Sequence, residues 1–236
     1  MAVWQTAIIR YEMKGDEAEM GKYVVVDLEM CRVPADRRKA LGYSRGSETI
    51  QIGAVLLDEK YEVVDEFNMF VRPEYGFMDT FIMNLTGIDS KELRDAPSMK
   101  EVLIEFINWV PKDAHVISWS DSDKGQIRYE AVKKGIHHER LDIMMETWID
   151  SQKMFMEKIN ENRRYKLSEA LIVSDIDQEG QEHNGLADAY NTAKLFTKMM
   201  TELEMKLNPY FVQSRQENKE RFSFSIADAF QNIQIA

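Results

Sequence analysis

The sequence predicts an α/β fold in which a mixed β-sheet is flanked by helices on both faces. Two observations lead to this prediction. Three strand-like segments follow one another early in the chain, and segments with helical spacing then alternate with short strands. Consecutive strands favour an antiparallel meander, whereas the later alternation supplies the helices that cover the sheet.

The early strands are predicted from their apolar patterns. Lys22–Met30 is a near-continuous apolar run rich in β-branched residues, as expected for a strand buried on both faces. The polar, arginine-rich segment Arg32–Ser47 is expected to be a loop or insertion. Thr49–Leu57 and Glu62–Val71 alternate as two further strands, with a hairpin turn predicted at Asp58–Lys60.

The rest of the chain mostly follows helical periodicity. Four segments carry apolar residues at helical spacing, namely Ser98–Val110, Gly125–Lys134, Tyr165–Ile172 and Asn184–Met205. Short strands are predicted at Ala114–Trp119 and Leu141–Ile149. An amphipathic turn is predicted at Phe224–Phe230. We therefore expect a lead at residues 1–20, one domain at 21–207 and a C-terminal extension at 208–236.

Composition excludes several classes of protein. The 236 residues are 44% hydrophobic and 30% charged, as in soluble globular proteins. The single cysteine, Cys31, cannot form an intramolecular disulfide and favours a reducing compartment. No apolar run is long enough to span a bilayer, and the first residues lack the basic start of a signal peptide. We therefore expect a cytoplasmic protein without a membrane partner.

The net charge restricts how the protein can bind nucleic acid. With 41 acidic and 30 basic residues, the net charge is −11, which argues against coating nucleic acid through a global positive field. A local site is still compatible with this charge, because bound cations can reverse the sign of a small region.

Two carboxylates in the first strand suggest a metal site. Asp27 and Glu29 are two positions apart and therefore share one face of the strand, while Leu28 points to the other face. Placing carboxylates on an apolar strand costs free energy unless a positive group neutralises their charge. A metal ion could be that group, since oxygen ligands favour Mg²⁺ or Mn²⁺. Alternatively, the strand simply reaches solvent at this point.

A second acidic segment follows the strand at Ala114–Trp119. Asp121 and Asp123 lie where an open sheet places ligand-facing residues. Either aspartate can instead cap the helix that follows, and the local pattern does not separate the two.

The third segment opens the longest predicted helix. Asn184 is a suitable N-cap, which leaves His183 in the preceding loop and Asp188 in the first turns. The helix N-terminus favours an ionised Asp188. An imidazole beside a carboxylate cluster suits a general base, because histidine titrates near working pH.

Together the three segments resemble the DEDDh-type 3′→5′ exonucleases of the DnaQ-like superfamily, which have an RNase H-like fold. The Eri1-type and bacterial KapD-like exonucleases resemble the chain most closely, and the motifs span roughly residues 22–205. A Leu-Thr-Gly-Ile segment at 85–88 adds support, since many members carry a similar one. The second motif departs from the common Trp-Gly-x-(Tyr/Trp)-Asp pattern, with Ser120 for glycine and Ser122 for the aromatic residue, so Asp121 still competes with Asp123.

The resemblance implies a role for each matched residue. The metal ligands would be Asp27, Glu29, Asp123 and Asp188. They would hold two ions, Mg²⁺ or Mn²⁺, in a two-metal mechanism, with His183 as the general base. The substrate would contact Leu28, Met30, Thr86 and Gly87.

The expected function is removal of nucleoside 5′-monophosphates from the 3′ end of single-stranded nucleic acid. RNA is favoured because Eri1-type enzymes prefer it, and DNA remains an option. The alternative is a non-catalytic or weakly catalytic regulator, like a sporulation inhibitor, that binds a protein partner. The acidic set and His183 argue against this alternative, because a pure scaffold does not need them.

Overall fold

Five β-strands form one mixed sheet in the computed structural model, which describes residues 21–215. The strands are β1 (Tyr23–Arg32), β2 (Ser47–Leu57), β3 (Val63–Phe70), β4 (His115–Ser118) and β5 (Ile149–Asp150). Their order across the sheet is β3-β2-β1-β4-β5. The first three pair antiparallel, and β4 pairs parallel with both β1 and β5. The mixed sheet and its antiparallel meander are therefore confirmed.

Residues 209–215 are helical, and nine further helices lie within the described residues. They are α1 (Ala35–Leu41), α2 (Thr80–Thr86), α3 (Ser90–Arg94), α4 (Met99–Trp109), α5 (Asp121–Lys133), α6 (Glu139–Thr147), α7 (Ser151–Lys158), α8 (Leu167–Val173) and α9 (Gly185–Thr201). No helix in this part of the chain is long and apolar enough to cross a bilayer.

The central strand β1 is covered on both sides, which explains its near-continuous apolar sequence. Val24 and Val26 pack with apolar residues of α4, α5 and α6 on one face. Tyr23 and Val25 pack with residues of α7, α8 and α9 on the other face. The alternation of side chains along the strand thus places Asp27 and Glu29, like Tyr23 and Val25, on the α9 side.

The predicted strand at Leu141–Ile149 is wrong. Most of this segment forms α6, and only Ile149 and Asp150 pair as β5. Leu141, Met144 and Met145 are buried on one side of α6, which is the i, i+3, i+4 spacing of an amphipathic helix. His138 caps this helix by accepting a hydrogen bond from the backbone N–H of Arg140 at 3.2 Å.

The segment Arg32–Ser47 is not only a loop, because it contains the helix α1. Gly42 ends this helix in the left-handed conformation, with φ of 59°, which glycine adopts without steric cost.

The end of the described chain packs against the domain. The backbone N–H of Asn208 donates to the carbonyl of Val173 at 2.8 Å. The Arg215 side chain donates to the carbonyl of Ile159 and pairs with Glu161 at 2.9 Å. The division at residue 208 stays a prediction, and the turn predicted at Phe224–Phe230 lies outside the described residues.

Candidate active site

β1 presents two carboxylates toward the α9 side of the sheet. Asp27 is half-buried, and Glu29 is 6% exposed. Leu28 packs on the opposite face with the α4 layer. The prediction that both acids share one face is therefore confirmed.

α9 lies very close to β2 beside these acids. A Cβ atom on Gly53, which pairs with Asp27 across the sheet, would be 2.2 Å from the backbone of Gly185 and Leu186. The backbone N–H of Gly185 donates to the buried side-chain oxygen of Gln51 at 3.0 Å. Two glycines thus allow the first turn of α9 to approach the face of the sheet that carries Asp27.

The start of α9 brings His183 and Asp188 to the two acids. Asn184 caps the helix by accepting a hydrogen bond from the backbone N–H of Ala187 at 3.2 Å, as the sequence predicts. Asp188 is 7% exposed, and its Oδ2 accepts a hydrogen bond from the backbone N–H of His183 at 2.9 Å. Glu29, His183 and Asp188 each offer one atom that could bind a metal ion, a carboxylate oxygen or an imidazole nitrogen. These three atoms lie within 4.8 Å of one another.

The first turn of α5 separates the two candidate aspartates of the second motif. Asp123 is 6% exposed and lines the same cavity as Asp27 and Glu29. Asp121 instead points to the surface, where it pairs with Lys153 at 2.8 Å. Neither aspartate caps the helix, because the N-cap is Ser120. The geometry therefore favours Asp123 over Asp121 as a ligand.

These residues line one cavity of about 350 Å³. Seven of the residues that line it were predicted from the sequence as site residues, namely Asp27, Leu28, Glu29, Met30, Asp123, His183 and Asp188. The other lining residues are Trp119, Ser120, Ser122, Lys166, Leu167, Ser168, Gln178 and Glu182. No local motif marks Lys166, Ser168, Gln178 or Glu182, so their place in the cavity was not predicted from the sequence.

Thr86 and Gly87 are not among the residues that line the cavity. The Thr86 hydroxyl is turned inward and donates to the carbonyl of Ile82 at 2.9 Å. Gly87 ends α2 in the left-handed conformation and lies against Gln181, whose side-chain oxygen would be 3.2 Å from a Cβ added there. The expected contact of Thr86 and Gly87 with substrate stays a prediction.

Burial and mutual repulsion raise the pKa of the clustered carboxyl groups. Burial raises the pKa of Asp27, and the charges of Asp123, Glu29 and Asp188 raise it further. Burial, followed by the charges of Asp188 and Asp123, raises the pKa of Glu29 to about 8. Burial raises the pKa of Asp123 to about 7, although hydrogen bonds from its own backbone N–H, Ser122 and Leu28 oppose the rise. Burial also raises the pKa of Asp188, although the hydrogen bond from His183 opposes this rise.

The donor set fits hard divalent cations. No lysine or arginine within residues 21–215 forms an ion pair with any of the four carboxylates. Four buried or half-buried carboxylates without a lysine or arginine partner carry a large electrostatic cost. Oxygen-rich sites of this kind favour hard divalent cations, whose charge would remove that cost.

Comparison with known sequences identifies relatives of the chain. A profile of the RNase_T family, described as exonuclease, matches residues 24–196. The chain is 32% identical over 179 residues to ERI1 exoribonuclease 2 of Xenopus laevis, an alignment that covers 65% of this chain and 25% of that protein. It is 30% identical over 185 residues to the PolC-type DNA polymerase III of Caldanaerobacter subterraneus, covering 78% of this chain and 12% of the polymerase. The chain therefore spans a quarter or less of these two relatives.

Solved structures share the fold. The nuclease domain of 3′hExo, a DEDDh family member solved with rAMP, has a TM-score of 0.67 at 20% identity. The match covers 81% of this chain and 98% of that domain. E. coli exonuclease I in complex with an oligonucleotide has a TM-score of 0.57 at 14% identity, covering 77% of this chain and 41% of the other.

The profile match extends over well over half of the chain and includes every residue of the cavity. The structural neighbours confirm the RNase H-like α/β fold. The chain therefore belongs to the exonuclease (RNase_T) family.

Proposed function

We propose that this protein is a metal-dependent 3′→5′ exonuclease that removes nucleoside 5′-monophosphates from single-stranded nucleic acid. One observation carries the proposal: four carboxylates from three separate elements meet His183 in a single cavity. The four are Asp27, Glu29, Asp123 and Asp188. Such a cavity suits hydrolysis of a phosphodiester, because the acids can hold cations that neutralise the charge of the phosphate.

Two ions, Mg²⁺ or Mn²⁺, would be held by Asp27, Glu29, Asp123 and Asp188. When bound, they would supply an activated water and stabilise the leaving 3′-oxygen. The family assignment supports divalent metal ions in general, and the oxygen-only carboxylate set supports the specific choice of Mg²⁺ or Mn²⁺.

His183 is proposed as the general base. Its position just outside α9 brings the imidazole within 4.8 Å of carboxylate oxygens of Glu29 and Asp188. Asp188 orients the histidine backbone through its hydrogen bond to the N–H group. A positioned imidazole accepts a proton from water in the transition state, provided that it starts out neutral. We therefore expect activity to fall at acid pH.

RNA is the proposed first substrate. Several matched relatives are named exoribonucleases, including ERI1 exoribonuclease 2 of Homo sapiens at 30% identity. DNA is the second candidate, because the matched proteins include a PolC-type DNA polymerase and an exonuclease I solved with a DNA oligonucleotide. The alternative of a non-catalytic regulator is not favoured, because the matched relatives carry exonuclease or polymerase names and the acidic set is complete.

A cytoplasmic location is also proposed. It rests on the single cysteine, Cys31, which is free and buried and is typical of a reducing compartment. Fractionation of the producing cells, with detection of the untagged protein by antibody, tests it. Recovery in a secreted fraction would contradict this location.

End-labelled substrates test the proposed activity. RNA and DNA of one sequence, each labelled at the 5′ end, are incubated with the protein in Mg²⁺, in Mn²⁺ or in EDTA. We expect a ladder that shortens from the 3′ end, with nucleoside 5′-monophosphates as products and no cleavage in EDTA. Cleavage that resists EDTA, products from the 5′ end, or no cleavage with either ion would contradict the proposal.

A further inference from the structure

The strand that carries the catalytic acids continues directly to an exposed basic and aromatic surface. β1 ends at Arg32, roughly 16 Å beyond Asp27 at the usual rise of a strand. The backbone N–H of Phe77 donates to the Arg32 carbonyl at 3.1 Å, so the loop before α2 lies at this end of β1. We call Arg32, Arg37, Phe77 and Phe81 the basic–aromatic rim.

Two phenylalanine rings of the rim face solvent. Phe77 is 42% exposed and Phe81 is 62% exposed. Their neighbour Tyr75 instead stacks on Tyr43, with ring centroids 4.7 Å apart. Large exposed apolar side chains are candidate contacts for a binding partner, and Phe77 and Phe81 are two of them, four residues apart in the chain. Phe81 lies one turn before Leu85, whose carbonyl contacts Gln181 in the loop that leads to His183.

The loop that carries Phe77, at residues 74–77, is held in place by hydrogen bonds to a buried side chain. The buried Glu48 carboxylate accepts hydrogen bonds from the backbone N–H groups of Glu74, Tyr75 and Gly76. Lys134 donates to the same carboxylate at 2.8 Å. A ring that is exposed on a fixed loop loses little conformational entropy when it binds, which favours recognition.

The segment that supplies both arginines of the rim is basic, although the whole chain is acidic. Residues 32–45 contain five basic side chains and one acidic side chain, whereas the whole chain has a net charge of −11. Arg37 donates to the carbonyl of Tyr75 at 3.2 Å, which places its guanidinium beside the loop. Arg32 is 3.7 Å from Asp79 and its side chain is 59% exposed. Arginine beside an exposed ring suits a phosphate followed by a base.

We propose that the basic–aromatic rim binds single-stranded nucleic acid on the 5′ side of the terminal nucleotide held in the cavity. Phe77 and Phe81 stack on bases, and Arg32 and Arg37 contact phosphates. The inference rests on the proposed exonuclease function and deepens it, since the rim determines how well long strands bind relative to short ones.

The test compares a dinucleotide, which reaches only the cavity, with a strand of about 12 nucleotides, within the range that single-strand grooves cover. The variants are Phe77→Ala with Phe81→Ala, and Arg32→Ala with Arg37→Ala. The matched controls are Ile143→Ala and Lys100→Ala, which alter exposed residues of α6 and α4. Cleavage of both substrates is measured as kcat/KM in Mg²⁺. Binding of the labelled long strand is measured by fluorescence anisotropy in an Asp27→Asn background, where the proposed turnover is blocked.

We expect the phenylalanine variant to weaken binding of the long strand by about 5- to 150-fold for each base that is no longer stacked. The arginine variant should also lower the dependence of binding on salt, because fewer phosphates are neutralised. Both variants should cleave the dinucleotide like the parent protein, and both controls should behave like the parent throughout.

Unchanged binding and cleavage of the long strand in both variants would overturn the inference while leaving the exonuclease function intact. An equal loss on both substrates would also overturn it, because the effect would then lie in the cavity or the fold. Absence of cleavage by the parent protein with either substrate would refute the proposed function. The anisotropy measurement would still decide whether the rim binds single strands.

Discussion

The backbone N–H of His183 donates a hydrogen bond to Oδ2 of Asp188 at 2.9 Å. His183 also has a positive φ of 64°, an uncommon conformation for a residue other than glycine. The proposed base and a proposed metal ligand are therefore held together by a direct hydrogen bond, in addition to being close in sequence. The Asn184 cap fixes the same turn from the helix side. Substitutions of single residues can therefore test the base and the metal ligands separately.

Asp27→Asn should remove most turnover and leave the fold intact. Asparagine keeps the shape of the side chain and removes the charge that would hold a cation. Loss of a ligand that contributes several kcal/mol of charge stabilisation corresponds to a fall of roughly 100-fold or more in kcat. Single-turnover cleavage under saturating Mg²⁺ measures the rate, and thermal unfolding checks the fold. Near-parental turnover at a parental Tm would show that Asp27 is not a ligand.

Asp123→Asn should be far more damaging than Asp121→Asn. The Asp123 carboxylate is buried in the cavity wall, whereas the Asp121 carboxylate pairs with Lys153 on the surface. A surface ion pair contributes little to stability, so Asp121→Asn also serves as the matched control. Both variants are assayed by cleavage and by calorimetric titration with Mn²⁺. Greater damage from Asp121→Asn would mean that the proposed ligand of the second motif is wrong.

Glu29→Gln should stabilise the protein in EDTA, increasingly so as the pH rises. The pKa of Glu29 is raised from 4.5 to about 8 in the folded state. The folded protein therefore binds more protons than the unfolded chain between these values, and its stability falls as the pH rises through this window. Glutamine does not titrate. The variant should match the parent near pH 5 and exceed it at pH 8.

Urea unfolding in EDTA across this pH range measures the effect, with Glu105→Gln on the exposed side of α4 as the control. Mg²⁺ should stabilise the parent and reduce the advantage of the variant, because the cation replaces the proton at the cluster. A constant difference between parent and Glu29→Gln at all pH values would contradict the raised pKa.

Part of the site is predictable from local sequence, because the relevant signals lie within one element. The shared face of Asp27 and Glu29 follows from the period of a strand. The Asn184 cap follows from the residue types that begin helices. The prediction for the second motif remained open, because Asp121 and Asp123 both suit the first turn of a helix and only tertiary packing separates them.

The predictions that were wrong or missing concern features whose local sequence signal is weak or absent. The short helix α6 has an apolar side of only three buried residues, so its helical period is weak and the segment Leu141–Ile149 was predicted as a strand although its methionines and glutamate do not favour one. α2 was not predicted, although Asp79 caps its start and Gly87 ends it. Lys166 reaches the cavity from a loop distant in sequence from β1 and α5. No local periodicity encodes such a contact.

His183→Ala should slow cleavage by about 10²–10⁴-fold, the usual contribution of a general base. It should also flatten the acid-side fall in rate, because the group that must be neutral is gone. His183→Asn is a second variant, since asparagine tolerates the left-handed backbone better than alanine does. If both variants lose activity equally, the loss comes from the imidazole and not from the turn.

Metal binding distinguishes a base from a ligand at this position. The imidazole lies close enough to Glu29 and Asp188 to share an ion with them, so both roles must be tested. As a base, His183 can be replaced without loss of Mn²⁺ binding, whereas Asp188→Asn should weaken it. Calorimetric titration of His183→Asn, His183→Ala and Asp188→Asn gives this comparison. Loss of Mn²⁺ binding in both histidine variants would assign His183 to the metal. A parental cleavage rate and pH profile in both would remove it from the mechanism.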